Sequence, residues 1–325
     1  MFLSCGDSLF DMFVGAQQNV TSDAVVDNTR IEIAGVVGGS PMNVALGLSR
    51  LGHSSRYLTK LSSDIFGQRI ERFLHNNAID TTLCIPTDLH TTLAMVELAD
   101  DGAANYAFYT NNTADVGMKA SELPSTLPDD IRVLHFGSYS TAVNPTADSL
   151  KVLAMRESEQ RIVSYDPNLR LSIEPDVTVW RESFSQFAKA ATLIKASDED
   201  IEALYGKNGE DKFVADCFSH NAQLVYLTRG PNGASAFSAD GSTAHASGLS
   251  VAVVDTVGAG DTFQAAILHW LAQQNHISAD SSNAAASFAG TVDLKASMAF
   301  AIKAAAVTCT RQGADLPTLA DVESA

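Results

Sequence analysis

The chain has 325 residues, 46% of them hydrophobic and 18% charged, and its formal net charge of −17 comes from 38 acidic and 21 basic residues. These values are typical of a globular protein with a sizeable core, and the acidic balance disfavours nucleic acid and anionic membranes as partners because it repels both. No apolar run reaches the roughly 20 residues that span a bilayer. The four cysteines are scattered and the N-terminus has no basic leader, so we expect a cytoplasmic location.

The N-terminal stretch, residues 1–11, is predicted to be a buried strand that ends in a polar turn. Asp7 and Asp11 stand near its carboxyl end, where open α/β sheets bind their ligands. Turn chemistry alone is the simpler explanation of both aspartates. The stretch is therefore a candidate site that needs support from the rest of the chain.

A glycine pair and a helix follow, in the sequence Gly38-Gly39-Ser-Pro-Met-Asn43-Val-Ala. Ser40 suits the N-cap and Pro41 suits the first helical position. The helix has one apolar face, formed by Val44, Leu48 and Leu51. Bare backbone at the glycines could meet a polyol, with Asn43 facing the same opening. An asparagine in a helix after a tight turn is an equally good explanation.

Two β-rich segments predict a small inserted sheet. Residues 19–37 are polar and β-branched without a helical period, and residues 91–98 and 105–109 flank an Asp-Gly turn typical of a hairpin. We expect this sheet to form a lid, made by about 13–36 and 89–115, on a single domain that covers residues 1–325. A lid would exclude water from a site beneath it.

The lid suggests two further features. Tyr106 and Phe108 are candidates to point into the site, although aromatic residues in hairpins are more often packing residues. The edges of such a sheet would be exposed, and packing one lid on another would cover them. A homodimer through the lid is therefore expected.

Strands and helices alternate through the remainder of the chain. The predicted strands are 56–61, 133–136, 161–165, 191–195, 224–228 and 233–237, and the predicted helices are 64–77, 146–159, 180–190, 198–205 and 294–309. This alternation predicts an α/β fold with a mostly parallel sheet covered on both faces. Polar clusters follow the strands at 166–170, 195–200 and 228–233. They predict a ligand cleft at the carboxyl edge of the sheet.

The stretch 253–270 carries the strongest chemical signal. It is predicted to be an apolar strand ending at Val254, a loop with the run Gly258-Ala259-Gly260, and a helix. Unpaired backbone N–H groups at a helix N-terminus attract anions, and the glycines let a phosphate approach closely. Asp261 directly follows and fits the base that takes a proton in phosphoryl transfer.

The same residues have a plainer explanation, because Gly-x-Gly-Asp before a helix can be only a strand-to-helix turn. The carboxylate of Asp261 would then favour the first turn of the helix electrostatically. The loop matches neither the Walker pattern nor the Gly-x-Gly-x-x-Gly dinucleotide pattern.

Taken together, these motifs resemble the ribokinase-like carbohydrate kinase family over nearly the full length. Gly38-Gly39-Ser-Pro-Met-Asn43-Val-Ala is similar to the sugar-binding signature of that family. Asp255-Thr-Val-Gly-Ala-Gly-Asp261-Thr-Phe is similar to its catalytic signature. The resemblance implies a three-layer α/β/α fold with a small β-sheet lid, and an enzyme that transfers phosphate from ATP.

The resemblance also implies a role for each matching residue. Asp261 would be the base, and the amides of Gly258, Ala259 and Gly260 would hold the developing charge. The sugar would be bound by Asp11, Gly38, Gly39, Asn43, Tyr106, Phe108 and Arg170. The nucleotide side would comprise Asn168, Ser197, Thr228, Gly230 and Gly233. Asp200 would be linked to magnesium through water, while Asp255 and Thr256 would belong to a monovalent-cation site, with potassium as the candidate.

Within this family the chain is most similar to fructokinases, which implies fructose as the substrate and its O6 hydroxyl as the acceptor. One departure weakens that assignment, since fructokinase lids often read Phe-Tyr-Arg where this chain has Phe108-Tyr109-Thr110. The alternatives are 2-keto-3-deoxygluconate, ribose or a nucleoside. An alternative of another class is a non-catalytic sugar-binding regulatory protein. The intact Gly-Ala-Gly-Asp run argues against it.

Overall fold

The computed structural model describes residues 1–14, 32–98, 104–277, 288 and 291–325, without the side chains of residues 97, 98 and 104–106. The strands are β1 (Phe2–Cys5), β2 (Leu9–Val14), β3 (Ile33–Gly38), β4 (Ser55–Leu58), β5 (Lys60–Ser62), β6 (Ile79–Asp80), β7 (Ile85–Thr87), β8 (Thr92–Leu98), β9 (Ala104–Tyr109), β10 (Val133–Gly137), β11 (Ile162–Asp166), β12 (Leu193–Ser197), β13 (Leu224–Thr228), β14 (Ala234–Ser238) and β15 (Thr243–Ala246). The helices are α1 (Ser40–Arg50), α2 (Ile65–Asn76), α3 (Thr146–Glu157), α4 (Val177–Ala188), α5 (Asp198–Tyr205), α6 (Glu210–Ser219), α7 (Ala259–Gln273), α8 (Leu294–Cys309) and α9 (Leu319–Ser324).

The central sheet has the strand order β15-β14-β13-β12-β11-β10-β1-β4-β6. Strands from β13 to β6 along this order pair in parallel, whereas β14 and β15 add antiparallel at one edge. Parallel neighbours bring the carboxyl ends of their strands to one edge of the sheet, where a ligand cleft is expected. The predicted mostly parallel sheet is confirmed.

Helices cover both faces of this sheet. On one face, α1, α7 and α8 pack on the side chains of Phe2, Val133, Ile162 and Leu193. On the other face, α3, α4, α5 and α6 pack on Leu3, Leu134, Val163 and Ile194. Neighbouring residues of a strand point to opposite faces, so each buried strand contributes to both cores. The chain therefore has the three-layer α/β/α architecture that the resemblance implies.

A separate small sheet has the order β3-β2-β8-β9, with β8 and β9 antiparallel as the hairpin pattern predicts. The Asp-Gly turn of that hairpin and most of the predicted segment 19–37 lie outside the described residues. The first strand of the chain was predicted to end in a polar turn with Asp7 and Asp11, but β1 ends at Cys5 and Asp11 lies within β2. Gly6 adopts φ 149°, which breaks the extended run and sends the chain into the second sheet.

The strand expected to end at Val254 is also wrong. Residues 251–254 are irregular, and the side chains of Val253 and Val254 are exposed. The segment is instead held by the end of α8, since the amide of Val254 donates to the carbonyl of Cys309 at 2.8 Å. Apolar β-formers alone do not make a strand where no neighbouring strand is available to pair with them.

The ends of α1 and α7 distant from the cleft are joined by a histidine pair. Nε2 of His53, just after α1, lies 2.9 Å from Nδ1 of His269 in α7, and the ring of His269 stacks on Phe300. Burial, followed by the charges of His269 and the N-terminal ammonium, lowers the pKa of His53 to about 4. Burial also lowers the pKa of His269. Two protonated rings would both be donors, so the contact requires a neutral acceptor.

We expect this pair to make the fold sensitive to acid. The unfolded chain takes up a proton near pH 6.5, whereas the folded chain resists it until about pH 4, so stability falls as the pH falls through this window. The variant His53→Gln keeps a donor at the same position and cannot titrate. Its melting temperature should fall less than that of the wild type between pH 7 and pH 5. The exposed His220→Gln variant should follow the wild type; equal losses in all three proteins would disprove a role for the pair.

Candidate active site

The loop before α7 leaves three backbone N–H groups without an acceptor in the described residues. Gly258 is the N-cap in the left-handed region at φ 78°, and an added Cβ would lie 2.9 Å from the side chain of Ala314. The amides of Gly258, Gly260 and Asp261 have no backbone acceptor in the described part of the chain, whereas that of Ala259 donates to Thr256 at 3.2 Å. A helix N-terminus of this kind attracts an anion. The amide of Ala259 is already used, which differs from the predicted set.

Asp261 lies in the first turn of α7 and is buried at the mouth of the cleft. Its Oδ1 accepts from the hydroxyl of Ser40 at 2.7 Å, and its Oδ2 accepts from Nδ2 of Asn43 at 2.8 Å. Both donors come from α1. The two glycine-containing motifs of the sequence therefore meet at this carboxylate.

Ser40 has a different role from the one predicted. Gly39 is the N-cap of α1 and makes no side-chain capping bond, while Ser40 is the first helical residue and directs its hydroxyl at Asp261. The hydroxyl also accepts from Nδ2 of Asn168 at 2.7 Å. Oδ1 of Asn168 in turn accepts from Nη1 of Arg170 at 2.6 Å. A chain of hydrogen bonds thus links Arg170 to Asp261 through Asn168, which was predicted to lie on the nucleotide side.

The glycines at the start of α1 are required by close packing. An added Cβ at Gly38 would lie 2.3 Å from Oδ2 of Asp11, and one at Gly39, where φ is 130°, would lie 2.4 Å from the carbonyl of Asp7. Burial raises the pKa of Asp11 to about 6, although the charge of Arg170 lowers it. The predicted sugar residues Asp11, Gly38, Gly39 and Arg170 therefore surround one end of the cleft.

Asp7 lies behind this end and is fully buried. Burial and then the charge of Asp115 raise its pKa to about 7. It is close enough to Arg170 to sense the guanidinium charge. Of the predicted lid aromatics, Phe108 packs on the core that contains Leu9 and Ala94; the side chain of Tyr106 lies outside the described residues.

A buried ion pair that the sequence did not single out lies beside the glycine loop. Nζ of Lys195 is 2.7 Å from Oδ2 of Asp166, and both side chains are almost fully enclosed. The same ammonium lies 3.1 Å from the position of a Cβ at Gly260. Burial lowers the pKa of Lys195, but the carboxylates of Asp166, Asp200 and Asp261 outweigh it and raise that pKa above its usual value. Lys195 is therefore a fixed positive charge next to the unpaired amides.

The predicted nucleotide residues lie at the carboxyl ends of β12 and β13. Ser197 is the N-cap of α5, and its hydroxyl donates to Oδ2 of Asp200 at 2.7 Å. Oδ1 of Asp200 accepts from the amide of Leu169 at 2.9 Å, so this carboxylate ties two loops of the cleft together. Thr228 ends β13. Gly230 and Gly233 adopt positive φ in the turn that follows, and an added Cβ at Gly233 would lie 2.1 Å from the carbonyl of Ala246.

Asp255 and Thr256 lie in the loop before Gly258. Oδ1 of Asp255 accepts from the amide of Val257 at 3.0 Å, and Oδ2 accepts from the amide of Gly313 at 2.8 Å. The carboxylate therefore anchors the loop to the segment after α8, while Thr256 is exposed. Within the described ranges, no three His, Cys, Asp or Glu side chains are grouped as a preformed metal site.

The model of the pfkB family of carbohydrate kinases matches residues 3–321. The chain belongs to this family. Its curated relatives include fructokinases, and the chain is a sugar kinase. In the described residues, no helix is long and apolar enough to cross a membrane.

The chain is similar to fructokinases in sequence and in structure over most of its length. Fructokinase from Rhizobium leguminosarum bv. trifolii is 34% identical over 275 residues, which are 85% of this kinase and 81% of the relative. Fructokinase-2 from Solanum habrochaites is 32% identical over 291 residues, 87% of this kinase and 85% of the relative. Fructokinase from Xylella fastidiosa with bound ATP has a TM-score of 0.83 at 24% identity, covering 99% and 97% of the two chains. A double mutant of Vibrio cholerae O395 fructokinase with fructose, ADP and potassium has a TM-score of 0.79 at 23% identity, covering 99% and 97%.

Proposed function

We propose that this kinase transfers the terminal phosphoryl group of ATP to the O6 hydroxyl of fructose, with Asp261 as the general base. The observation that carries the proposal is the 2.8 Å hydrogen bond between Asn43 and Asp261, which are 218 residues apart. This bond joins α1, which begins in the sugar-binding signature, to α7, which begins in the catalytic signature. A sugar bound at the start of α1 would present a hydroxyl to the carboxylate of Asp261 in α7.

Asp261 has a defined task in this arrangement. Both of its oxygens accept hydrogen bonds, from Ser40 and from Asn43. Each oxygen keeps a further lone pair, so an incoming hydroxyl can bind beside these donors or take the place of one of them. Asn43 is the better candidate to move, because its released amide can then bind another sugar oxygen. Ser40 is held from behind by Asn168, and it would keep the carboxylate oriented during transfer.

The positive groups beside Asp261 suit the phosphoryl group. Amides of Gly258, Gly260 and Asp261 point from the start of α7, and the ammonium of Lys195 lies against Gly260. Charge on the transferred group would be stabilised by these fixed donors without reorganisation of solvent. In a protein with a net charge of −17, such local donors are what allows an anionic nucleotide to bind.

Magnesium and potassium are part of the proposal. Asp200 accepts two backbone amides and the hydroxyl of Ser197, so its carboxylate fits magnesium through a bridging water better than by direct ligation. Bound magnesium supplies neutralisation of the terminal phosphates. Asp255 keeps lone pairs beyond its two amide contacts, and with Thr256 it would hold potassium. The Vibrio cholerae O395 fructokinase structure, which has the same fold, contains potassium.

The choice of fructose rests on the named relatives and on Arg170. The curated relatives are fructokinases, and the guanidinium of Arg170 is held near Asp11 and Asp7 at the sugar end of the cleft. The same guanidinium could bind the carboxylate of 2-keto-3-deoxygluconate, which keeps that sugar acid as the second candidate. Ribose and nucleosides are the remaining alternatives.

A substrate panel tests the proposal. ADP release is measured with ATP and magnesium in the presence of fructose, glucose, ribose, 2-keto-3-deoxygluconate or adenosine. We expect strong release with fructose alone. Release with 2-keto-3-deoxygluconate alone would transfer the proposal to the keto acid, and silence across the panel would contradict fructose as the substrate.

We also propose that the small sheet is a lid and that two lids pack together in a homodimer. Its edge strands β3 and β9 expose Ile33, Val36 and Tyr109, which are 45%, 43% and 63% exposed. Exposed apolar edge strands tend to associate, and a second copy can cover them.

All four cysteines are unpaired, which suits the proposed cytoplasmic location.

The dimer makes a prediction for one lid residue. Val36→Lys places a charge on the proposed interface and is expected to halve the mass in solution from about twice the 34.4 kDa of the chain to that of one chain. Light scattering measures the mass. Val152→Lys, at an exposed valine of α3, is the matched control and should remain dimeric. A wild-type mass of 34.4 kDa would exclude the dimer.

A further inference from the structure

One face of the central sheet is polar beneath the cleft. On the face covered by α1, α7 and α8, the outermost register row is the apolar trio of Phe2, Val133 and Ile162. The next row toward the cleft is Ser4, His135 and Ser164, which are register partners on three adjacent strands. Asp166 and Lys195 follow one row further. On the opposite face the same strands carry only apolar or aromatic residues.

Helix α7 adds one more polar group to this surface. Gln264 is fully buried, and its Nε2 donates to Oγ of Ser164 at 3.0 Å. Nδ1 of His135 lies 3.1 Å from the same hydroxyl. Gln264 stands one helical turn after Asp261, so it reaches the sheet directly below the proposed base. The buried polar layer is defined as these six residues: Ser4, His135, Ser164, Asp166, Lys195 and Gln264.

The layer has more polar atoms than its internal hydrogen bonds can satisfy. Eight buried side-chain oxygen or nitrogen atoms lack a partner in the described part of the chain, and four of them are in this layer. They are Oγ of Ser4, Nε2 of His135, Oδ1 of Asp166 and Oε1 of Gln264. Buried polar atoms are rarely left unpaired, because each one forfeits its hydrogen bonds to water. Four such atoms in one buried layer between the sheet and α7 indicate a bound polar species.

The four unpaired atoms offer the mixture of hydrogen-bond donors and acceptors that a water molecule can satisfy. Ser164 accepts from Gln264, so its own hydroxyl proton is available to Nδ1 of His135, which leaves an N–H at Nε2. Burial and the charge of Lys195 lower the pKa of His135 to about 3, so the ring is neutral. The unpaired set is then one N–H donor, one hydroxyl and two acceptors. Buried waters typically make about three hydrogen bonds to such mixed groups.

We propose that the buried polar layer binds one or more internal water molecules and that His135 and Gln264 are positioning residues for the transfer of the phosphoryl group. The water would complete the hydrogen bonds of Asp166, which holds Lys195 against Gly260, while Gln264 fixes the first turn of α7 to the sheet. The positioning role rests on the proposed function. The water site does not.

Crystallography and kinetics test the two parts separately. A high-resolution structure of the wild-type protein should show a water within about 3 Å of Nε2 of His135 and Oε1 of Gln264. Two variants remove the polar atoms, His135→Leu and Gln264→Leu. Val133→Ala is the matched control, because it changes the same face of the same strand one row further from the cleft. His135→Gln keeps an N–H near the position of Nε2.

Both leucine variants are expected to lower kcat about tenfold with the sugar KM unchanged. The reason is that they remove residues which position the reacting groups without contacting the sugar. His135→Gln should recover most of that loss, and Val133→Ala should keep the wild-type kcat. Absence of the water from well-resolved density would overturn the site. Leucine variants with wild-type kcat, or with losses matched by Val133→Ala, would overturn the positioning role. A wild-type protein inactive on every sugar would refute the proposed function, and the density would still decide the water site.

Discussion

Asp261→Asn is expected to reduce kcat by about a hundredfold to ten-thousandfold, the range that general-base catalysis contributes. The amide has the size of the carboxylate but cannot accept the proton of the sugar hydroxyl. Folding should be intact, because the amide oxygen can still accept from either Ser40 or Asn43 and the buried negative charge is removed. Turnover by ADP release and thermal unfolding together check both expectations.

The matched control for this change is Asp148→Asn. Asp148 is an exposed aspartate in the first turn of α3, as Asp261 is an aspartate in the first turn of α7. It should keep wild-type turnover. Near-normal turnover of Asp261→Asn would remove that residue as the base, and equal losses in the two variants would point to a general effect of helix charge.

Lys195→Met is expected to have the second large effect, because it changes both stability and activity. It leaves Asp166 buried without its counter-ion, and breaking a buried pair of this kind costs about 3–5 kcal/mol in the free energy of unfolding. It also removes the positive charge beside Gly260. Denaturant unfolding and the kcat of the remaining folded protein measure the two losses.

A double variant separates these effects. Lys195→Met combined with Asp166→Leu replaces both charges by apolar groups, which often restores stability. Activity should stay low, because the ammonium beside Gly260 is missing. Lys151→Met is the control, since its ion pair with Asp148 is exposed and worth at most about 1 kcal/mol. Restored activity in the double variant would mean that Lys195 serves only the fold.

The sequence predicted the parts of the fold that local patterns encode. The apolar periodicity after Gly260 predicted α7, and the alternation of strands and helices predicted the parallel sheet. The glycines of the loop were identified because backbone approach to an anion needs them. Asp11 was placed in a turn rather than in β2, because nothing local shows that the chain changes sheets at Gly6.

The pairing of site residues could not be read from local patterns. Asp166 and Lys195 are 29 residues apart and meet only through the alignment of β11 with β12. The hydroxyl of Ser40 was taken for a cap, because its contact with Asp261 depends on how α1 packs against α7. One usable signal was present, since Ser4, His135, Ser164 and Lys195 interrupt otherwise apolar strands on the same side. A polar residue on the same face of four buried strands is costly and marks the face that adjoins the proposed site.

The most direct test of the central claim is a crystal structure with fructose, magnesium and a non-hydrolysable ATP analogue. The account predicts O6 of fructose within about 3 Å of a carboxylate oxygen of Asp261, in the place of Asn43, with the terminal phosphate at the amides of Gly258 and Gly260. Fructose bound elsewhere, with Asp261 still bonded to Ser40 and Asn43 and the phosphate away from the loop, would contradict it.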